Sequence, residues 1–184
     1  MRRVPPLLEV GRVRDDRDLE QILALQRRNL PRSIDPRAIA DQGFVTVEHT
    51  LDVLRQMHEM EASIVAREGG LLAGYALVMP VACRTLIPVL EPMFQRLESL
   101  GRRFYVMGQI CVDAPWRGQG VFDALYQGHR DHLRDRYDLV VTEVSVRNPR
   151  SLRAHLRVGF REIERYTDAT DEWVLLGWDW GPPL

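Results

Sequence analysis

The stretch APWRGQGVFDALY, residues 114–126, constrains this chain more than any other. It places an arginine and two glycines where an apolar run, Phe104–Val112, gives way to an amphipathic helical pattern. A strand that feeds a glycine-rich turn and then a helix leaves the first helical N–H groups without partners inside the helix. Those groups point along the axis with the positive end of the helix dipole. Gly118 and Gly120 carry no Cβ to block approach to the main chain. Such a turn is an anion cradle suited to phosphate or pyrophosphate. Its plainer reading is a turn that saves space. Two familiar nucleotide loops do not fit. There is no G-x-x-x-x-G-K-[ST] motif, and all 25 basic residues are arginine. Asp123 stands where a dinucleotide fingerprint needs its third glycine. Phosphate contacts must then come from backbone amides or forked guanidinium groups, and lysine chemistry is excluded.

The rest of the chain supplies a frame for that turn. Residues 7–13 alternate as a first strand. In residues 15–30, Leu19, Ile22, Leu23 and Leu25 form a helical stripe that stops before Pro31. Residues 32–41 read as a short helix or loop. Residues 50–60 read as a helix with Thr50 as N-cap and Leu51, Leu54, Met57 and Met60 as its stripe. Two β-rich runs flank Gly69-Gly70, which signals a hairpin. Residues 86–101 are an insertion, with a short helix predicted from near Pro92 to Gly101. After the glycine turn and its helix come a strand at 137–146 and a helix at 148–158. Asn148 caps that helix, Pro149 opens it and Gly159 ends it. Leu152, His155, Leu156 and Gly159 are expected on one face. Residues 160–166 and 172–178 read as closing strands. With no internal repeat, low-complexity tract or linker, residues 1–184 are expected to form a single domain. The order predicts an α/β (α+β) fold, a mixed sheet with helices on both faces.

Composition excludes several classes of function. The net charge of −1, with arginines spread among acids, offers no stripe for nucleic acid. No apolar run approaches the roughly 20 residues that span a bilayer. The first residues lack the apolar core of a secretion signal, so a cytoplasmic protein with no membrane partner is expected. Cys83 and Cys111 make neither a disulfide framework nor a zinc site, and no metal is expected.

A second motif, NPRSLRAHLRVGF at residues 148–160, follows the glycine turn at a telling distance. Together the two resemble the GNAT superfamily of acyl-CoA-dependent N-acyltransferases. The family's Arg-x-x-Gly-x-Gly/Ala appears as Arg117, Gly120 and Phe122. Its Asn-x-x-Ala-x-x-Leu-Tyr-x-x-x-Gly-Phe appears as Asn148, Ser151, Ala154, His155, Gly159 and Phe160. The paired motifs cover residues 104–166.

The resemblance implies a mostly antiparallel twisted sheet in which one parallel pair, residues 104–112 and 139–146, splays apart. Acetyl-CoA would enter that gap as cosubstrate. Main-chain groups of Ile110, Cys111 and Val112 would meet the pantetheine and thioester. Amides of Arg117, Gly118, Gln119, Gly120, Val121 and Phe122 would hold the pyrophosphate. Arg117 would add a guanidinium contact or stay solvated, and Asn148 and Ser151 would sit near the pantetheine or simply cap their helix. The implied reaction is direct attack of a primary amine, of a small molecule or a protein, on the thioester. A homodimer is compatible with the resemblance. The alternatives are a sensor or subunit that holds acyl-CoA without turnover, and an unrelated phosphate-binding protein.

Two departures from the family pattern bear on catalysis. Phe122 replaces a small residue, so it crowds the first helical turn, pushes the pyrophosphate outward, or packs under the loop. His155 replaces the tyrosine that commonly protonates the leaving thiolate, and serves as acid or as a packed core residue. For the base, Glu143 on the second splayed strand is flanked by Val140, Val141 and Val144, where burial would raise its pKa. Its rival role is a hydrogen bond across the sheet. Gln109 cannot take a proton. Glu48, His49 and His58, in the region that covers the acceptor site in the family, are expected at the solvated surface, with a role as base the alternative; a base acting through water is a further one, and Cys111 is an outside choice for covalent chemistry. Trp173 and Trp178 are expected to pack the sheet or a subunit contact, or to wall an acceptor site.

Overall fold

The computed structural model describes residues 8–181. Strand β1 is Glu9–Arg12; Leu7, which the alternation also included, lies outside the described residues. Helix α1, Asp16–Arg28, starts where the Asp15 side chain accepts from the Asp18 amide. Asp16 and Asp18 lie in its first turn and Arg27 and Arg28 in its last, as the helix dipole favours. Residues 32–41 resolve into a 3-10 turn, Pro31–Ser33, and the short helix α2, Ile39–Gln42. Thr50 caps α3, Leu51–Met60, with Leu54 and Met57 buried. The hairpin of β2, Ile64–Glu68, and β3, Leu71–Pro80, turns on Gly69 and Gly70, both at positive φ. The insertion differs from its prediction: it opens with 3-10 turns, Val81–Leu86 and Pro88–Leu90, and its helix α4 is Glu91–Leu97.

The second half alternates strand and helix. Strand β4 is Phe104–Val112, α5 is Val121–Leu133, β5 is Leu139–Ser145 and α6 is Pro149–Val158. Strands β6, Arg161–Thr167, and β7, Glu172–Asp179, close the chain. The seven strands form one sheet in the order β1-β2-β3-β4-β5-β7-β6. Every neighbouring pair is antiparallel except β4 and β5. Strand β3 is buried along almost its whole length, because both faces of the sheet are covered. Tyr75, Leu77 and Met79 join the core on one face with residues of α1, α3 and α4. Ala76 and Val78 join the core on the other with residues of α5. Strand β6 is an exposed edge that carries alternating acids and arginines, which discourages pairing with another sheet. On α6 the expected face is corrected. His155 is buried and Leu152 half-buried, but Leu156 is 46% exposed. Leu156 lies about 100° round the helix from His155, on the side of α6 that faces outward.

Candidate functional site

Strand β4 stays paired with β3 as far as Gly74 and Val112, and β5 stays paired with β7 as far as Ser145 and Trp173. Between β4 and β5 themselves, pairing stops at Val106 and Val141. One further link, from the Thr142 hydroxyl to the Met107 carbonyl at 2.9 Å, precedes the opening. Each strand is thus held by its outer neighbour while the inner edges part. Beyond the end of β4, the Asp113 amide donates to Ala73 on β3 at 2.9 Å. Antiparallel pairs alternate between bonded and non-bonded, so Cys111 also turns its backbone to β3. Ile110 and Val112 therefore turn theirs into the gap.

The glycine turn stands at the end of that gap. Gly118 and Gly120 take φ of +73° and +80°, a region side chains rarely adopt, and α5 begins with no side-chain cap. Among the described residues, no protein group accepts from the amides of residues 118–123. Arg117 departs from its expected place. Its amide donates to the Ala114 carbonyl at 3.3 Å. Its Nε donates to the Val112 carbonyl at 3.0 Å and its Nη2 to Asn29 Oδ1 at 2.5 Å. The arginine is a strut for the turn, and the open amides run from 118 to 123. The Gln119 side chain is also turned back, onto the Pro115 carbonyl. Phe122 packs edge-on against Tyr126 and His155, under the turn.

A cavity of about 640 Å³ runs from the gap to the turn. Ile110, Cys111 and Val112 line it from β4, Gly118, Gly120 and Val121 from the turn, and Asn148 and Ser151 from α6. Arg150, Arg153 and Arg157 also line it. Sequence reasoning missed these three arginines, although their spacing places them on one side of a helix. Arg157 pairs with Asp123 at 2.6 Å, while Arg153 has no ion-pair partner among the described residues.

Residues 43–48 cross the opening and are pinned from both sides. Asn148 caps the Ser151 amide at 3.3 Å through Oδ1, and its Nδ2 donates to the Phe44 carbonyl at 3.0 Å. From β4, Gln109 Nε2 donates to the Val47 carbonyl at 2.8 Å, while its Oε1 accepts from Tyr75 and Gln26. Gln26 Oε1 in turn accepts the His49 amide at 2.8 Å. His49 is therefore buried, contrary to the expected solvated position, and burial pushes its pKa down to about 4. Glu48 is exposed and paired with Arg32 at 2.6 Å, and His58 is half-buried.

His155 does not meet the demands of an acid. Its ring is enclosed by Phe122, Tyr126 and Phe160, its Nδ1 lies 2.7 Å from the Ser151 carbonyl, and it lines neither cavity. Burial lowers its pKa to about 4, so the ring is neutral near pH 7. Cys111 is buried, and burial pushes its thiol up to about 12, which disfavours the thiolate that a nucleophile needs.

A second cavity, of about 530 Å³, lies beside the first, and Phe44 lines both. Glu143 and Trp173 line it from the sheet, and Val89 and Leu90 from the insertion. Burial raises the Glu143 carboxyl to about 7, against the hydrogen bond it accepts from Tyr166, which lowers it. Trp178 lies elsewhere, against Tyr126 and Phe160. Among the described residues, no group of three His, Cys, Asp or Glu side chains is placed to hold a metal ion, and no helix is long and apolar enough to cross a membrane.

Residues 23–160 match the family model described as Acetyltransferase (GNAT) family. Among solved structures, the chain is similar to the ribosomal-protein-S18-alanine N-acetyltransferase from Escherichia coli. That match has 14% identity and a TM-score of 0.66, and covers 96% of each chain. It is also similar to Arabidopsis thaliana Naa50 in complex with the bisubstrate analogue CoA-Ac-MVNAL, at 14% identity and TM-score 0.63, covering 92% of this chain and 97% of that one. A Salmonella typhimurium protein solved with its cofactor acetyl-CoA matches at 14% identity and TM-score 0.62, covering 94% and 93%. No match was found among curated protein sequences.

Proposed function

The chain belongs to the GNAT family of acetyltransferases, and we propose that it transfers an acetyl group from acetyl-CoA to a primary amine by direct attack. One observation carries the cosubstrate: the open amides of residues 118–123 stand at the end of a parallel pair that has come apart. A diphosphate would accept from those amides with the help of the helix dipole. The pantetheine arm would lie in the gap against Ile110 and Val112, and Asn148 and Ser151 would border it. Arg153, on the cavity wall, would add a positive charge near the phosphates.

In the second cavity, Glu143 would act as the base. A carboxyl near pH 7 matches the task of taking a proton from an ammonium group at neutral pH. The freed nitrogen lone pair attacks the thioester carbonyl, the tetrahedral adduct collapses with breaking of the C–S bond, the nitrogen releases its second proton to solvent, and the CoA thiolate takes a proton from solvent. The Val112 amide, turned into the gap, would face the oxyanion. His155 takes no part in these transfers. In this reading the protein works in the cytoplasm, without nucleic-acid or membrane partners, alone or as a homodimer.

The test is thiol release from acetyl-CoA with a panel of amines, beside calorimetric titration with CoA. Micromolar CoA binding and amine-dependent thiol release are expected. The candidate acid His155 is enclosed by Phe122, Tyr126 and Phe160 and lines neither cavity, which favours a second reading, an acyl-CoA sensor without turnover. Binding without thiol release for any amine would establish that reading instead.

A further inference from the structure

None of residues 81–97 lines the first cavity, yet Val89 and Leu90 form a wall of the second. Leu90 is buried and Val89 is 45% exposed, at the rim. Phe44, Val47 and Trp173 supply further apolar surface. The charged groups on this cavity are uneven in sign. Glu48, Glu143 and Asp171 bring three carboxyls, and Arg147 is the one basic side chain among its lining residues. Arg147 is committed: its Nε and Nη2 both donate to Asp171 Oδ2, at 2.9 and 2.7 Å. Asp171 is fixed in turn by the Ser145 hydroxyl at 2.6 Å.

Resting on the acetyl-transfer reading above, we propose that this cavity selects a primary amine carried on an apolar body, with no carboxylate beside the amino carbon. The ammonium head is drawn to Glu143, and the body replaces water on Val89, Leu90, Phe44 and Trp173. A free amino acid would bring its carboxylate among carboxyls with no uncommitted cation to meet it. A polyamine's second ammonium group would find Glu48 already paired with Arg32 and Asp171 with Arg147, and would lie against the apolar wall. The same chemistry comes from a free arylalkylamine or from a peptide amino terminus with an apolar first residue.

The experiment measures kcat/KM of the full chain with acetyl-CoA and five acceptors: phenethylamine, phenylalanine amide, phenylalanine, spermidine, and a pentapeptide beginning with Phe. Phenethylamine and phenylalanine amide are expected at least about 100-fold above phenylalanine and spermidine, since a site with unmatched polar groups discriminates strongly. A peptide about tenfold better than phenethylamine identifies the amino terminus as the source; a peptide no better identifies the free amine. Two variants sharpen the result. Asp171→Asn frees Arg147 and is expected to improve phenylalanine relative to its amide by about tenfold. Val89→Asp, at the rim, puts a charge on the apolar wall and is expected to raise KM for phenethylamine about tenfold. Phenylalanine or spermidine turned over as fast as phenylalanine amide overturns the selectivity and leaves acetyl transfer standing. No thiol release with any amine overturns acetyl transfer itself, and the selectivity with it.

Discussion

Tyr166 on β6 donates its hydroxyl hydrogen to Glu143 on β5, reaching across the intervening strand β7. The Arg96 guanidinium lies 3.8 Å from the centre of the Tyr166 ring and holds the far side of the phenol. The proposed base therefore has a fixed orientation and a carboxyl near pH 7, set by burial against one hydrogen bond.

Activity should then rise with pH through an inflection near 7, and Glu143→Gln should lose the inflection along with most of the rate, on the order of 100-fold. Tyr166→Phe removes a hydrogen bond that favours the charged carboxylate, so the inflection should move upward. Stability carries the opposite signature. A carboxyl whose pKa is raised on folding contributes stability below its unfolded pKa and loses it as pH rises through 7. Urea midpoints should show Glu143→Gln gaining on the parent between pH 5 and 8.

Gly120 takes φ of +80° at the start of α5. Gly120→Ala forces a side chain into that region at a cost of roughly 1–2 kcal/mol. The turn should shift or the protein weaken. Calorimetry should show CoA affinity falling about tenfold, and a thermal melt should show a lower midpoint.

Arg117 and Arg153 are both near the amide cradle but do different work. Arg117 is bound to Val112 and Asn29, so Arg117→Ala should weaken CoA by loosening the turn, with the salt dependence of binding unchanged. Arg153, without an ion-pair partner among the described residues, should act through charge. Arg153→Ala should flatten the fall of affinity with salt.

Three buried histidines predict acid lability. Burial lowers His49 and His155 to about 4 and His129 to about 3. The unfolded chain takes up protons below about 6.5 that the folded chain refuses, so stability falls as pH falls from there. Each histidine contributes a slope of roughly 1.4 kcal/mol per pH unit in that window. Urea midpoints between pH 7 and 4 check this, and His155→Phe should reduce the slope.

The strand, turn and helix around Gly118 and Gly120 were legible because each rests on local chemistry: an apolar run, two glycines and a helical period. Thr50, Asn148 and the Gly69-Gly70 hairpin were legible for the same reason. His49 was not, because its neighbours come from afar; the Gln26 to Gln109 bond beside it spans 83 positions. The Tyr166 partnership with Glu143 depends on a strand order, β5-β7-β6, that no local period encodes. For His155 the sequence indicated an inward helix face, but not the closed ring of aromatics around it.

Phe44 belongs to the walls of both cavities, and its backbone carbonyl is tied to Asn148. Whatever fills one chamber therefore sets the shape of the partition that the other guest meets. Donor and acceptor binding should be coupled, so that calorimetry finds a different affinity for the amine with CoA present than without it.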